Sequence, residues 1–204
     1  MVGDFCSIIL AGGKGRRLLK EKGFLKIGEK SILERMINVL SSIGGEIMLI
    51  GSLKKKPDFL RGVRLEEDII KDKGPIGGIY TGLFLSGRDK NLFLAWDMPF
   101  IKRELILHLL EVSNGYDAVV PVVNGYEEPL LSVYSKNCLD AVKSSIERGE
   151  LNLKSFYKDV DVRYIYEDEL KIYDPHLLSF FNINEMDDLL EARRIYAEHR
   201  GSPV

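Results

Sequence analysis

A glycine-rich, basic segment follows the first apolar run of the chain. Residues 10–17 (LAGGKGRR) come directly after the run Phe5–Leu10, and Lys22 lies a few residues further on. Glycines let backbone N–H groups approach an anion closely, because no Cβ atom stands in the way. The five cations from Lys14 to Lys22, opposed only by Glu21, would neutralise a polyphosphate. The pattern therefore predicts a phosphate-binding loop, with a solvated surface turn as the alternative interpretation.

Two well-known phosphate-binding loops are excluded by single residues. A P-loop requires a serine or threonine after its Gly-Lys pair, but Gly15 follows Lys14 here. The dinucleotide fingerprint requires a glycine at the position that Leu18 occupies. Neither a P-loop NTPase nor a dinucleotide-binding enzyme is predicted.

Two groups of acidic residues also follow apolar runs. Asp97 comes after residues 91–95, and Pro99 disfavours helix at Met98, so the carboxylate is expected to project from the sheet edge. A single hard carboxylate beside a triphosphate suits Mg²⁺, which keeps several waters; the alternative is a helix cap. Residues 66–68 (EED) follow a weak strand, and three adjacent acids usually form a solvated turn.

The elements that must position these residues alternate between strand and helix in the first half of the chain. The predicted strands are residues 5–10, 46–50, 63–65, 91–95, 117–123, 130–134 and 162–166. The predicted helices are residues 32–43, 79–85, 105–110, 139–148 and 186–199, with Ser31 and Asn184 as the caps of the first and the last. Units of about 30 residues favour a parallel sheet, and the closer spacing of the later strands predicts at least one antiparallel strand. Ligands of such sheets bind beyond the carboxyl ends of the strands.

Composition limits the class of protein. The chain has 204 residues, a formal net charge of −2 and 45% hydrophobic residues, which predicts one globular domain over residues 1–204 and no general affinity for nucleic acid. Its two cysteines, Cys6 and Cys138, lie far apart, as in a reduced cytoplasmic protein. No apolar run reaches the ~20 residues that a membrane span requires, so no membrane association is expected.

Taken together, the motifs resemble those of the molybdenum cofactor guanylyltransferases. Leu-Ala-Gly-Gly at residues 10–13 and a basic stretch precede residues 22–28 (KGFLKIG), which match the lysine-containing second part of the pattern. Three later segments agree in order and spacing, namely residues 74–78 (GPIGG), 96–100 (WDMPF) and 182–184 (NIN). The resemblance implies a three-layer α/β/α sandwich, a Rossmann-like nucleotidyltransferase domain with a mostly parallel sheet. It also implies Mg²⁺-dependent transfer of GMP from GTP to the terminal phosphate of molybdopterin.

The resemblance further assigns roles to particular residues. Lys22, Arg17 and Asp97 are expected to act on the phosphates, with Asp97 holding the metal. Asn182 and Asn184 flank Ile183 at period-two spacing, so both amides are expected to face the pterin of the acceptor. Asp72 competes with Asp68 for the nucleotide. The other expected nucleotide contacts are Leu10, Ala11, Gly12, Gly13, Lys14, Asp68, Gly74, Pro75 and Gly78.

Several alternatives remain open at this point. The same loop resembles that of the sugar-phosphate nucleotidyltransferases, although 204 residues leave little room for a sugar-specific subdomain. Cytidylyl transfer to molybdopterin and a non-enzymatic nucleotide-binding module are the other candidates. Relatives often carry an arginine after the Gly149-Glu150 pair, where this chain has Leu151, so Lys154 must substitute or the acceptor differs. Transient contact with other cofactor-biosynthesis proteins is also expected.

Overall fold

A computed structural model describes residues 4–12, 22–53 and 56–198. Its centre is an eight-stranded sheet, and a separate two-stranded hairpin follows Lys22. The hairpin consists of β2 (Lys26–Ile27) and β3 (Lys30–Ser31). The strands of the main sheet are β1 (Phe5–Leu10), β4 (Glu46–Ile50), β5 (Arg64–Glu66), β6 (Lys90–Ala95), β7 (Ala118–Val123), β8 (Tyr126–Glu127), β9 (Leu131–Ser135) and β10 (Val162–Tyr166).

Six α-helices cover the two faces of the sheet in the described part of the chain. They are α1 (Ile32–Ile43), α2 (Pro75–Leu85), α3 (Arg103–Val112), α4 (Cys138–Glu147), α5 (Glu167–Tyr173) and α6 (Met186–Glu198). Helices α2 and α4 pack together over one face, where the buried cluster includes Ile8, Phe93 and Tyr134. The buried side chains of α1, α3, α5 and α6 belong to the cluster on the other face. The fold is therefore the expected three-layer α/β/α sandwich.

The sheet is mostly parallel, as the spacing of the elements predicts. The strand order is β10-β7-β9-β6-β1-β4-β5, with β8 paired to β7. Strand β1 is parallel to both of its neighbours, β4 and β6. Strand β9 runs antiparallel to β6 and β7, which confirms the expected antiparallel strand in the second half. The carboxyl ends of β1, β4, β5 and β6 consequently meet at one edge.

Most element boundaries agree with the sequence to within one or two residues, and α2 is the main exception. It begins at Pro75 rather than at Ile79, because Gly74 adopts φ 65° as the N-cap and proline is well suited to the first helical turn. The 2-residue strands β2, β3 and β8 and helix α5 carry no clear sequence signal and were not predicted. Among the described residues, no helix is long and apolar enough to cross a membrane.

Candidate functional site

A crevice of about 580 Å³ lies beyond the carboxyl ends of the parallel strands, next to the start of α2. It brings together segments that are far apart in the sequence. Its lining includes Leu10, Gly12, Asp68, Asp72, Gly74, Pro75, Gly78 and Asp97. Eight residues named from the sequence therefore share one cavity, where the topology predicts ligand binding.

The end of β1 is held by backbone contacts to both neighbouring strands. The Ala11 amide donates to the Ile50 carbonyl at 2.8 Å, and the Trp96 amide donates to the Leu10 carbonyl at 3.3 Å. Gly51 adopts φ +145°, and a Cβ atom there would lie 2.1 Å from the Ala11 carbonyl oxygen, so no larger residue fits without a shift. The chain is therefore directed into the crevice at Gly12. Gly13, Lys14 and Arg17 lie outside the described residues.

Lys22 and Asp97 form an ion pair at the crevice. The Lys22 ammonium lies 3.3 Å from Asp97 Oδ2 and donates to Asn184 Oδ1 at 2.9 Å. The side chains of Lys22 and Asp97 are only 12% and 15% exposed, so both charges are largely shielded from water. Burial raises the pKa of Asp97, and Lys22 offsets this only in part. The pair therefore retains a carboxylate whose ionised form would be favoured by a further cation.

Asp68 lies on another wall of the crevice. Its Oδ1 atom is buried and has no hydrogen-bond partner in the described part of the chain, and burial raises the pKa of the carboxyl group. The next residue, Ile69, is anchored because its amide donates to Thr81 Oγ1 of α2 at 3.0 Å. Asp72 also lines the crevice, but it is exposed and adopts φ 60°. An unsatisfied buried oxygen calls for a donor from a ligand, which favours Asp68 over Asp72.

The start of α2 approaches β1 closely. Gly78 is buried, and a Cβ atom on it would lie 3.0 Å from Leu10 Cδ2. Gly77 is similarly close to the Ile70 carbonyl oxygen, at 3.0 Å. The glycines therefore let the helix N-terminus, which favours negative charge, lie at the wall of the crevice.

Comparison with known proteins identifies the family to which this site belongs. The model of the MobA-like NTP transferase domain matches residues 7–164. The chain belongs to the MobA-like NTP transferase family.

Similar proteins cover nearly the whole chain. A protein of Pelotomaculum thermopropionicum named "probable molybdenum cofactor guanylyltransferase" is 36% identical over 91% of this chain and 90% of its own length. One of Methanosarcina mazei with the same name is 36% identical, over 90% of this chain and 87% of its own length. The crystal structure of molybdopterin-guanine dinucleotide biosynthesis protein A from Archaeoglobus fulgidus matches with a TM-score of 0.80 and 30% identity, covering 95% of this chain and 99% of that one.

The two asparagines have different hydrogen-bond partners in this member of the MobA-like family. Asn182 donates from Nδ2 to the Phe180 carbonyl at 3.1 Å, whereas Asn184 accepts from Lys22. Ile183 between them is fully buried, as expected. The expected cap role of Asn184 is wrong, because the helix begins at Met186, directly after Glu185, and the side-chain oxygen of Asn184 accepts from Lys22. Asp188 Oδ2 accepts from the amides of Asn184 and Glu185 at 2.7 and 2.8 Å.

Residues near the expected acceptor side form an apolar wall. Leu130 and Leu151 line the crevice. Lys154, the candidate substitute for an arginine, forms an ion pair with Glu127 of β8. The lysine is therefore engaged with a carboxylate in this structure, and its contact with an acceptor stays a prediction.

The residues at the crevice fit a magnesium ion that also binds phosphate oxygens. No cluster of three or more His, Cys, Asp or Glu side chains within the described ranges could hold a metal by itself. Mg²⁺, however, commonly takes one or two carboxylates together with water and substrate phosphates. The shielded carboxylate of Asp97, with a pKa raised by burial, supplies such a ligand.

Sequence reasoning missed several contributors to the site, among them Lys73. Lys73 lines the crevice directly before Gly74, and its place before the Gly-Pro pair is the signal that could have identified it. Trp96 also lines the crevice while remaining only 8% exposed. A Cβ atom on Gly23 would lie 2.7 Å from the Trp96 ring, so a small residue after Lys22 allows this packing.

Proposed function

We propose that this protein transfers GMP from GTP to the terminal phosphate of molybdopterin and releases pyrophosphate. The observation that carries the proposal is the Lys22–Asp97 ion pair at the crevice, in a chain whose relatives are named as molybdenum cofactor guanylyltransferases. A shielded lysine and a shielded carboxylate at one point supply a phosphate ligand and a metal ligand. The similarity over nine-tenths of the chain supports the same donor and acceptor here.

The donor nucleotide is proposed to lie across the carboxyl ends of β1 and β6. Backbone groups of residues 10–12, together with Gly13, Lys14 and Arg17, would hold the phosphates. Gly74, Pro75 and Gly78 let the backbone at the start of α2 approach the nucleotide. Asp68 would accept a hydrogen bond from the nucleoside, which would satisfy its buried Oδ1 atom.

The chemistry needs charge stabilisation more than proton transfer. The terminal phosphate of the acceptor is already an anion, so its attacking oxygen requires no protein general base. Lys22 and Arg17 would screen the charge that accumulates on the α-phosphate and on the leaving pyrophosphate. Mg²⁺ bound to Asp97 would supply further neutralisation of the phosphate oxygens. Asn182 and the apolar wall formed by Leu130 and Leu151 would contact the acceptor. Contact of this protein with other cofactor-biosynthesis proteins stays a prediction.

A nucleotide panel tests this proposal. Pyrophosphate release is measured with GTP, CTP, ATP and UTP, each with molybdopterin, with a sugar phosphate and with no acceptor, in the presence of Mg²⁺ or of EDTA. Release is expected only with GTP, molybdopterin and Mg²⁺ together. Release with CTP or with a sugar phosphate would replace the proposal by one of the related transferases. Nucleotide binding without any release would indicate a non-enzymatic module.

A further inference from the structure

The segment that leads into α6 and includes its first turn, residues 182–188, is built into the donor side of the crevice. The Ile183 amide donates to the Asp97 carbonyl at 3.0 Å, and the Ile183 side chain is fully buried. The segment is thus fixed to the same turn that carries the Asp97 carboxylate. It lies beyond residues 7–164, the part of the chain that the family model covers.

Within this segment, the side chain of Asn184 is not used to cap the helix. Asp188 accepts from the amides of Asn184 and Glu185, and Glu185 is the residue directly before the helix. The amide oxygen of Asn184 instead accepts from the Lys22 ammonium at 2.9 Å, a shorter contact than the 3.3 Å from that ammonium to Asp97. Asn184 is therefore the nearer of the two acceptors.

The backbone of Lys22 is fixed from the other direction. Lys22 begins the short 3-10 helix Lys22–Phe24, its carbonyl accepts from the Leu25 amide at 3.0 Å, and Gly23 packs against Trp96. The backbone alone leaves the four-carbon side chain with many rotamers. Hydrogen bonds from the ammonium group to Asp97 and Asn184 select one of these rotamers. The third ammonium proton is then left for another acceptor.

We infer that Asn184 is a positioning residue for Lys22. Through Lys22, Asn184 affects the triphosphate of the donor rather than the acceptor. The neutral oxygen of Asn184 holds the ammonium group in place and leaves its positive charge intact. A second carboxylate would neutralise that charge. If Asp97 held a metal ion, Asn184 would remain as the acceptor that keeps Lys22 at the crevice. The inference rests on the proposed function, and it deepens the part that concerns the donor.

A double-mutant cycle tests the inference without metal and without acceptor. Binding of GTP and of inorganic triphosphate is measured by calorimetry in EDTA for the parent, Lys22→Ala, Asn184→Ala and the double variant. Each single variant is expected to bind both probes about five- to tenfold more weakly, the scale of one ordinary hydrogen bond. The double variant is expected to bind within about twofold of Lys22→Ala, because Asn184 acts through Lys22.

Asn114→Ala is the matched control. Asn114 accepts from the Lys90 ammonium at 2.6 Å and lines a different cavity, which also contains Asp117 and Asn137, so it is an equivalent amide–lysine contact outside the crevice. Its affinity for both probes is expected to equal that of the parent. The unfolding temperature of Asn184→Ala should also equal that of the parent, which excludes a folding defect as the cause of weaker binding.

Three results would overturn the inference. Unchanged affinity of Asn184→Ala for both probes would show that Lys22 needs no positioning. Fully additive losses in the double variant would assign Asn184 an independent contact. A raised KM for molybdopterin with unchanged triphosphate affinity would return Asn184 to the acceptor. If the parent transferred no GMP but the losses of Lys22→Ala and Asn184→Ala were still non-additive, only the proposed function would be refuted.

Discussion

Two carboxylates of the crevice are at least partly shielded from water. Asp97 and Asp68 line the same cavity, and burial raises the pKa of both carboxyl groups. Such carboxylates lower the stability of the folded protein when nothing is bound, because each loses hydration on folding. A cation at Asp97 and a hydrogen-bond donor at Asp68 would compensate this loss. Both positions therefore favour ligand binding over a structural role.

Asp97→Asn is expected to separate activity from stability. Burial raises the pKa of Asp97, so the folded state binds a proton more readily than the unfolded state, and the ionised group opposes folding as the pH rises through that pKa. The variant should therefore unfold at pH 7, in metal-free buffer, at a temperature no lower than that of the parent. Turnover should fall ~10²-fold or more, as for loss of one electrostatic group in an active site.

Calorimetric scans and pyrophosphate release on the same samples check both parts. Any stability difference between parent and variant should shrink as the pH falls, because the parent carboxyl group becomes protonated there. Near-parental turnover would remove Asp97 from the mechanism. A large drop in unfolding temperature would instead show that the Lys22–Asp97 pair stabilises the fold.

The location of the candidate residues could be predicted from the sequence more readily than their contacts. Lys22 and Asp97 stand out because a basic loop and a carboxylate each follow an apolar strand. Their contact joins residues 75 positions apart, and the contact of Lys22 with Asn184 joins residues 162 positions apart. Local patterns do not encode such distances. The cap role assigned to Asn184 was wrong because the helix begins one residue later than such a cap requires, at Met186, and the Asn184 side chain accepts from Lys22 instead.

At the scale of elements, the positions that a pattern predicts least well are those where a helix directly follows a strand or a turn. Helix α5 begins at Glu167, immediately after β10 ends at Tyr166. No loop residue therefore marks the change from the alternating pattern of a strand to the pattern of a helix. Helix α2 packs so closely on the sheet that a Cβ atom on Gly82 would lie 2.7 Å from Phe93. Glycine lowers helix propensity, which explains why its first turn was not predicted.

Asp117 joins several elements at the edge of the sheet opposite the crevice. Its carboxylate accepts from the Asp161 amide at 3.0 Å, from Asn137 Nδ2 at 3.0 Å and from Ser135 Oγ at 3.5 Å. These bonds connect the start of β7 with β9, α4 and the approach to β10. They lower the pKa of the carboxyl group, the Asp161 amide having the largest effect.

Asp117→Ala is expected to destabilise the protein by about 1 kcal/mol at pH 7, because it removes these hydrogen bonds while their mostly exposed donors can bond to water instead. A lowered pKa means that the stabilisation is present above the ordinary value of 3.8 and is lost as the pH falls through the folded-state pKa. Urea unfolding at pH 7 and at pH 3 measures the difference.

The matched control for Asp117→Ala is Glu111→Ala, which removes an exposed acid of α3. The stability of this control should stay within about 0.5 kcal/mol of the parent. GTP affinity should be unaffected in both variants, because neither residue lines the crevice. If Asp117→Ala lowered the free energy of unfolding equally at pH 7 and pH 3, the stabilisation would not depend on the negative charge of the carboxylate.

For the whole molecule, the two halves of the chain are joined in several places, two of which involve the sheet and the last helix. Strand β6 of the first half pairs with β9 of the second half inside one sheet. After α5, the chain returns to the first half, where Ile183 contacts the Asp97 turn and α6 packs against β2. Arg193 of α6 donates to the Lys26 carbonyl, and Arg35 of α1 lies 4.3 Å from the centre of the Tyr196 ring. Such interlocking supports the proposal of one domain over residues 1–204.

One cooperative unfolding transition is therefore expected for the full chain, and ligand binding at the crevice should shift all of it. A calorimetric enthalpy equal to the van't Hoff enthalpy would confirm two-state unfolding. GTP at 100 times its Kd should add about 2.7 kcal/mol, if it binds only the folded state. For a chain of this size that corresponds to a rise of roughly 5–10 °C in Tm. Lys22→Ala, scanned at the same GTP concentration, should show a smaller rise because it binds less tightly. Two separate transitions, only one of them shifted by GTP, would show that the segment after β10 folds independently of the crevice and would contradict the single domain.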